Sequence, residues 1–245
     1  MSQDSSKPTY MTREAVMSGE IRRLIQAADP AAKVLSDEEH RAGVAAILKA
    51  RPENGPGPGP SSGDDGVWVF AYGSLIWNPM IHFTEKRVAT VHGYHRRFCL
   101  WTHLGRGSAA VPGLILGLDY GGACRGVAYR IARAQAREEL ELLWRREMVT
   151  GSYAPRWVRM VTREGGRGWA IAFIINHSHA RYAGELSEAR IVESISRAKG
   201  PLGPCASYLF DTATHLERLG IRDPRLFRLR DLVAQALEAP KKTPE

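Results

Sequence analysis

The stretch that most constrains the fold of this chain runs from residue 67 to residue 79. Residues 67–70 (Val-Trp-Val-Phe) are β-branched or aromatic, which is the composition of a short buried strand. Small residues around one tyrosine follow at 71–74 (Ala-Tyr-Gly-Ser), and an Asn-Pro pair at 78–79 signals a turn. The glycine at position 73 lets the backbone turn successive N–H groups toward one point, where they can bind an anion or a developing oxyanion. An ordinary strand with a tight turn is the alternative interpretation of so short a motif.

The surrounding sequence resembles the γ-glutamylcyclotransferases of the ChaC family. The resemblance begins with the loop itself, Phe-Ala-Tyr-Gly-Ser-Leu-Ile-Trp-Asn-Pro at 70–79. Further segments follow in the family's order: Gly-Tyr-His-Arg-Arg-Phe-Cys-Leu at 93–100, Gly-Val-Ala-Tyr-Arg at 126–130, Leu-Trp-Arg-Arg-Glu-Met at 143–148, Gly-Pro-Leu-Gly-Pro-Cys at 200–205 and Leu-Gly-Ile at 219–221. One residue departs from the pattern, because Ala71 stands where the family usually has glycine. Its methyl group would narrow the substrate slot without removing the N–H donors that follow.

The resemblance implies both a fold and a reaction. The fold is a γ-glutamylcyclotransferase-like α+β fold, a small mixed, mostly antiparallel β-barrel or sheet with helices around it. The reaction converts glutathione into 5-oxoproline and cysteinylglycine, with a broader γ-glutamyl-amine cyclotransferase as the alternative. The resemblance also implies that Glu147 is the catalytic residue and that the substrate-binding residues are Ala71, Tyr72, Gly73, Ser74, Leu75, Ile76 and Tyr208.

The order of strand-like and helical patterns independently favours an α+β fold over a doubly wound sheet. One helix is predicted at 135–149, and further helices near 185–198, 205–219 and 224–238. Glycine-rich breaks at 105–107, 121–122 and 165–166 are typical of hairpins. The predicted strands are 67–70, 88–91, 94–101, 114–120, 124–131, 157–162 and 169–175.

The N-terminal part differs in composition from the rest. Apolar residues at helical spacing predict a helix over 12–28, and Ser36 with Glu39 forms a capping box that opens a second helix. Because two helices seldom make a stable domain, residues 1–51 are expected to be an extension packed on the core. Nine of the fifteen residues at 52–66 are Gly or Pro, which predicts a flexible linker. The catalytic domain is then 67–238, followed by a polar tail at 239–245.

The predicted helix at 135–149 carries one carboxylate on an apolar stripe. Leu140, Leu143 and Trp144 occupy positions i, i+3 and i+4, and Glu147 is position i+7 of the same face, while the other charged residues are expected mostly to point elsewhere. A carboxylate there is costly to bury. It is either one half of an ion pair with an arginine or a general base whose pKa burial has raised.

The implied reaction asks little of the protein. The α-amine of a γ-glutamyl peptide reaches its own γ-carbonyl, so ring closure has the advantage of a tethered nucleophile. Glu147 serves first as base and then as acid, and backbone N–H groups around residues 73–75 hold the oxyanion. The reaction requires no metal, cofactor or covalent nucleophile.

Other candidate residues have simpler alternatives. Arg106, in a Gly-Arg-Gly sequence, is a candidate clamp for a substrate carboxylate, although loop arginines are often merely solvated. Tyr208 is equally consistent with a half-buried helix tyrosine. His177 and His179 would be a metal pair only if further ligands converged on them.

Charge and cysteine content limit the partners. Residues 67–245 carry a net charge of +10 and residues 1–66 a net of −2, so the catalytic region attracts small anions such as glutathione. No Lys/Arg block of five or RNA-binding motif indicates nucleic acid, and no apolar run approaches the roughly 18 residues of a membrane span. Three widely spaced cysteines indicate a reducing cytoplasm. A cysteine-dependent acyl hydrolase or transferase and a non-enzymatic regulatory or binding protein are the alternatives from other classes.

Overall fold

The structure of the chain, a computed structural model, describes residues 11–28, 30, 32–52 and 66–239. It divides into two compact units, of which the first comprises Met1–Arg96 and Leu118–His179 and the second Arg97–Gly117 and Ala180–Glu245. The predicted linker lies almost entirely outside the described residues, as does the predicted tail beyond residue 239. The domain boundaries therefore stay a prediction.

The first unit is organised around a closed barrel whose strand order, over the described residues, is β1-β3-β2-β4-β5. The strands are β1 (Val67–Ala71), β2 (Glu85–Thr102), β3 (Gly113–Ile131), β4 (Tyr153–Thr162) and β5 (Arg167–Ile175), and β2 and β3 also contribute residues to the second unit. Antiparallel ladders join β1 to β3, β2 to β4 and β4 to β5, while β5 pairs in parallel with β1 and β3. The predicted mixed, mostly antiparallel α+β fold is thus observed.

Strand β1 is buried at every position, as its apolar sequence predicts. It lies between β3 and β5, with Val69 opposite both Tyr129 and Ile171. Because β1 is buried and has a paired strand on each edge inside a closed barrel, its register is strongly fixed. The residues that follow β1 therefore start from a fixed point.

Two expectations about strand boundaries were wrong. The predicted strands at 88–91 and 94–101 are one strand, β2, and those at 114–120 and 124–131 are one strand, β3. The glycines that predicted a break are nonetheless special, since Gly121 and Gly122 have φ values of +98° and +72°. The glycine pair at 121–122 predicts a hairpin from the sequence, whereas in the structure strand β3 continues through it. The glycine pair at 165–166 does lie in the hairpin between β4 and β5.

The N-terminal helices also belong to the first unit, as far as they are described. Where one helix was predicted over 12–28 there are two, α1 (Arg13–Met17) and α2 (Glu20–Ala28), because Gly19 takes a φ of +76° between them. Helix α3 (Asp37–Lys49) begins with the predicted capping box, in which the Glu39 amide donates to Ser36 Oγ at 3.1 Å and the Ser36 amide donates to Glu39 Oε2 at 2.7 Å.

Helix α4 (Ala136–Glu147) packs between α3 and the barrel. Its Trp144, 1% exposed, meets the ring of Phe173 on β5 edge-on at 5.3 Å. On the other side, Gly43 of α3 lies so close that a Cβ there would be 2.5 Å from Trp144 Nε1.

The second unit holds three helices among its described residues, α5 (Glu188–Arg197), α6 (Cys205–Arg218) and α7 (Pro224–Glu238), close to the predicted bounds. A two-residue hairpin, β6 (Lys199–Gly200) with β7 (Gly203–Pro204), precedes α6. No helix in the described parts of either unit combines the length and apolar character that a membrane span requires.

The contact between α3 and α4 generates a prediction about Gly43. Alanine in place of an interior helix glycine normally stabilises by about 1 kcal/mol. At position 43 the added methyl group meets the buried indole, and overpacking of this kind costs about 1–3 kcal/mol. We expect Gly43→Ala to lower the melting temperature.

Ala45, an exposed residue of helix α3, provides the control for the helix propensities of alanine and glycine. Ala45→Gly should cost about the helix-propensity difference alone, about 1 kcal/mol. If Gly43→Ala raised the melting temperature by the corresponding amount, the packing of α3 on Trp144 would be looser than described.

Candidate active site

The signature loop, residues 71–78, leaves the barrel at the end of β1 and turns at once. Residues Ser74–Ile76 form one turn of 3-10 helix, in which the Ile76 amide donates to the Gly73 carbonyl at 2.9 Å. The first N–H groups of such a turn, those of Ser74 and Leu75, have no partner inside it, and Gly73 has no side chain that could cap them. Gly73 itself has a φ of −134°, so the left-handed freedom of glycine is not used here.

Three side chains of the first unit hold the loop in place. The Tyr72 hydroxyl donates to the Phe173 carbonyl on β5 at 2.8 Å, and the Tyr72 carbonyl accepts from Arg96 Nη1 at 2.8 Å. The Tyr129 hydroxyl of β3 donates to the Ile76 carbonyl at 3.0 Å. All five residues are buried, so each of these polar groups needs the partner it has.

Arg146 joins the signature loop to the end of α4. Its side chain is 3% exposed and lies between the two elements. Nη2 donates to Ser74 Oγ at 2.9 Å, Nη1 donates to the Asn78 carbonyl, and Nε pairs with Glu147 Oε1 at 2.9 Å. One planar guanidinium therefore connects the predicted catalytic carboxylate to two points of the loop.

Glu147 is the last residue of α4, and 16% of its side chain is exposed. Burial raises the pKa of its carboxyl above the ordinary value, and the charge and hydrogen bond of Arg146 oppose that rise without cancelling it. A carboxylate at the negative end of a helix is also unfavourable. The ion pair that the sequence offered as an alternative is present, yet burial has the larger effect on the carboxyl.

The sequence did not predict the burial of two other charged residues of α4. Arg146 was expected to point away from the apolar stripe, and so was Glu139, which is 0% exposed. Glu139 accepts from Arg13 of α1 and from His82, both distant in sequence. An apolar pattern along a helix predicts only which residues share a helix face, so it could not predict that Glu139 binds residues distant in sequence.

Two predicted site residues, Arg106 and Tyr208, lie in the second unit. Tyr208 of α6 is 8% exposed, more deeply buried than the half-buried alternative, and packs edge-on against Phe98 at 6.0 Å. Arg106 Nη1 donates to the Pro204 carbonyl at 3.2 Å. A part for either residue in binding substrate stays a prediction.

The cysteines and histidines have other surroundings. Cys99, Cys124 and Cys205 are all buried and none forms a disulfide, and burial raises the pKa of the Cys205 thiol to about 11. A thiolate nucleophile needs the opposite environment, so the thiol mechanism has no support. His177 Nε2 pairs with Asp119 Oδ1 at 2.6 Å, and within the described residues no group of three or more potential ligands is placed to hold a metal ion.

Comparison with known proteins places these features in a family. A model of the family described as ChaC-like protein matches residues 67–236. The chain is 39% identical over 216 residues to a glutathione-specific γ-glutamylcyclotransferase of Escherichia coli, which covers 88% of this chain and 89% of that protein. It is 32% identical over 193 residues to glutathione-specific γ-glutamylcyclotransferase 1 of Rattus norvegicus, covering 74% and 87% respectively.

A solved structure is also similar. The crystal structure of a yeast γ-glutamyl cyclotransferase specific to glutathione superimposes with a TM-score of 0.67 at 22% sequence identity, covering 72% of this chain and 99% of that chain. At this identity the likeness concerns the fold, and it confirms the predicted γ-glutamylcyclotransferase-like α+β architecture.

The environment of Glu147 generates a prediction about its titration. The carboxyl pKa, measured by NMR, should lie above 4.5 because burial favours the neutral form. The folded protein then holds this proton more tightly than the unfolded chain, so the contribution of Glu147 to stability falls as pH rises from 4.5 through the folded pKa.

Adjacent arginines provide a matched pair of variants. Arg146→Met removes the charge that opposes the shift and should raise the pKa of Glu147 further. Arg145, whose Nη1 pairs with Asp37 at 3.0 Å, is the control, and Arg145→Met should leave that pKa nearly unchanged. A wild-type pKa at or below 4.5 would mean that ion pairing, not burial, governs the carboxyl.

Proposed function

This chain belongs to the ChaC-like protein family, and we propose that it is a glutathione-specific γ-glutamylcyclotransferase, which converts glutathione into 5-oxo-L-proline and L-cysteinylglycine. The observation that carries the proposal is the pairing of Glu147 with the signature loop through Arg146. A partly buried carboxyl with a raised pKa lies next to a loop whose helical turn begins with N–H groups that have no partner inside the turn. These are the two components that the reaction needs.

The first step is proton transfer to Glu147. At neutral pH the α-amine of glutathione carries a proton, and the Glu147 carboxylate removes it. The freed amine then attacks the γ-carbonyl carbon of the same molecule and closes a five-membered ring. Because nucleophile and electrophile are already tethered, the enzyme contributes mainly the conformation in which they meet. A raised pKa suits this step, since a base works best with a pKa near the operating pH.

The second step is collapse of the tetrahedral intermediate. The carbonyl oxygen becomes an oxyanion as the ring closes, and the N–H groups at residues 73–75 are the donors that we assign to it. The bond from the γ-carbon to the cysteine nitrogen then breaks, and Glu147 returns its proton to that nitrogen. The ring nitrogen, which still carries two hydrogens after the attack, gives one of them to the released amine, which leaves as an ammonium group. One glutathione yields one 5-oxoproline and one cysteinylglycine, with no water consumed and the carboxylate restored. The steps need no cofactor.

Arg146 limits the mobility of both components in this scheme. Its three contacts fix Ser74, Asn78 and Glu147 relative to one another before substrate arrives. Preorganisation of this kind avoids rearrangement during the reaction. We assign Arg146 a positioning role, and Tyr72, whose hydroxyl is engaged by Phe173, a role in shaping the loop.

The substrate and location are also part of the proposal. The net charge of +10 on residues 67–245 favours a small anionic peptide. The described residues hold three buried cysteines, none of them in a disulfide, which fits a reducing cytoplasm, where glutathione is available to the enzyme. Arg106 and Tyr208 are the proposed substrate contacts of the second unit.

Product analysis tests the proposal. Purified protein incubated with glutathione, without added metal or cofactor, should release 5-oxoproline and cysteinylglycine in equal amounts. Free glutamate in place of 5-oxoproline would mean hydrolysis and would overturn the cyclotransferase reaction. Equal turnover of glutathione and γ-glutamyl-alanine would replace the glutathione-specific activity with the broader one.

The role of Glu147 is tested by Glu147→Gln, which keeps the shape of the side chain but removes its basicity. Turnover should fall by about 10²–10⁴-fold, the usual contribution of a positioned general base. The melting temperature should change little, since burial already opposes the charged form and Arg146 retains Ser74, Asn78 and the glutamine oxygen as acceptors.

The control is Glu138→Gln on the same helix, where the glutamate side chain is 66% exposed. It should keep both turnover and melting temperature. If Glu147→Gln instead lost about 3–5 kcal/mol of stability and kept its turnover, Glu147 would be half of a structural ion pair and not the base.

A further inference from the structure

We propose that Arg13 of the N-terminal helix α1 is a positioning residue for the active site, acting through the buried carboxylate of Glu139. The effect of Arg13 on the reaction rests on the proposed function. The structural role of Arg13, which is to fix residues 78–82 beside α4, does not rest on the proposed function. Arg13, Glu139 and His82 together are called the clamp below.

The clamp is centred on Glu139, which is completely buried. Arg13 Nη1 donates to Oε2 at 2.6 Å and Nη2 donates to Oε1 at 2.9 Å, which is the bidentate geometry of a strong arginine–carboxylate pair. His82 supplies two more donors, its amide to Oε2 at 3.1 Å and Nδ1 to Oε1 at 2.9 Å. Burial alone would raise the pKa of Glu139, but these donors outweigh it and hold that pKa below the ordinary value.

Arg13 also holds the backbone between the signature loop and His82. Its Nη1 donates to the Met80 carbonyl at 3.2 Å. Met80 has a φ of +58°, the one positive value among non-glycine residues in the described part of the chain. A side chain in the left-handed region is unfavourable and persists where surrounding contacts enforce it. The clamp provides such contacts at the Met80 carbonyl, which accepts from Arg13, and two residues later, where His82 binds Glu139.

The clamp and Arg146 act on the same segment from the same helix. Glu139 and Arg146 are seven residues apart, two turns of α4, and so share one face. Arg146 binds the Asn78 carbonyl, Arg13 binds the Met80 carbonyl, and Glu139 accepts from the His82 amide. The segment after the signature loop is therefore attached to α4 at both ends, and a shift at Met80 would be transmitted through Asn78 to Arg146 and Glu147.

Arg13 reaches this place because α1 is anchored beside it. Thr12 caps α1, Val16 is 1% exposed, and the neighbouring Met11 carbonyl accepts from Asn78 Nδ2 at 3.3 Å. The ChaC-like family model begins at residue 67, so Arg13 comes from outside the matched region. The N-terminal helices thus supply a part of the site that residues 67–236 do not contain.

Two variants and a neighbouring control test the inference in the full-length protein. Arg13→Met removes the donors to Met80 and Glu139, and Glu139→Gln removes the charge that Arg13 binds. Glu138→Gln is the control, because Glu138 also pairs with Arg13 at 2.9 Å but is exposed and contacts nothing in 78–82 among the described contacts.

The first readout is amide exchange, which does not depend on any activity. In Arg13→Met and Glu139→Gln, exchange over residues 78–83 should accelerate by about tenfold or more, while exchange in the β4–β5 hairpin stays unchanged. Glu138→Gln should resemble the wild type. Uniform acceleration of exchange over all segments, or no acceleration at 78–83, would show that the clamp does not fix this segment.

The second readout is turnover of the folded protein. With glutathione, kcat of Arg13→Met should fall by about 10–100-fold, as expected for misplacement of a catalytic group, with a smaller change in KM. Arg13→Lys keeps the charge but not the bidentate fork, so it should lie between Arg13→Met and the wild type. If Glu139→Gln does not fold, the two Arg13 variants still decide the matter.

The outcomes separate the inference from the proposed function. A wild-type protein that releases no 5-oxoproline refutes the proposed function. The exchange data alone then decide whether the clamp fixes residues 78–82. A wild type that is active, with Arg13→Met equally active and unchanged in exchange at 78–83, refutes the positioning role and leaves the cyclotransferase intact.

Discussion

The site depends on one buried guanidinium. Arg146 is 3% exposed, and a cation so far from water is stable only if every donor has an acceptor in place. Its acceptors come from three places in the chain: Ser74 and Asn78 in the signature loop and the neighbouring Glu147. Helix α4 and the loop after β1 must therefore be positioned together, and the requirement of a single side chain defines the geometry of both.

Helix α4 carries one fully buried carboxyl group, that of Glu139, and one partly buried carboxyl group, that of Glu147, whose pKa values are shifted in opposite directions. Glu139 has donors from Arg13 and His82 on both oxygens, and its pKa is lowered. Glu147 has Arg146 on one oxygen at the end of the helix, and its pKa is raised. The number of donors decides between a structural anion and a proton carrier, which is how one helix can provide both a fixed support and a base.

The barrel fixes the position of the signature loop. Strand β1 is paired on both edges, so Ala71 is fixed, and Tyr72, Arg96 and Tyr129 extend that rigidity into the turn. Between Asn78 and Thr84, whose amide donates to the Arg130 carbonyl of β3, the N-terminal helix adds support, because Arg13 binds Met80 and Glu139. The loop is thus held by the sheet at its start and by α1 and α4 at its end.

The sequence by itself determined the elements and the candidate base. Three patterns are local: the apolar run at 67–70, the capping box at Ser36 and the apolar stripe ending at Glu147. Such patterns can be predicted because they depend on residues that are close in sequence. Only the tertiary structure decided which charges are buried and what they bind. Arg13 and Glu139 are 126 residues apart and Arg146 and Ser74 are 72 apart, so no helical or strand period connects them. The same limit explains the joined strands β2 and β3, since pairing with distant partners carried the strands past glycines that in isolation signal a turn.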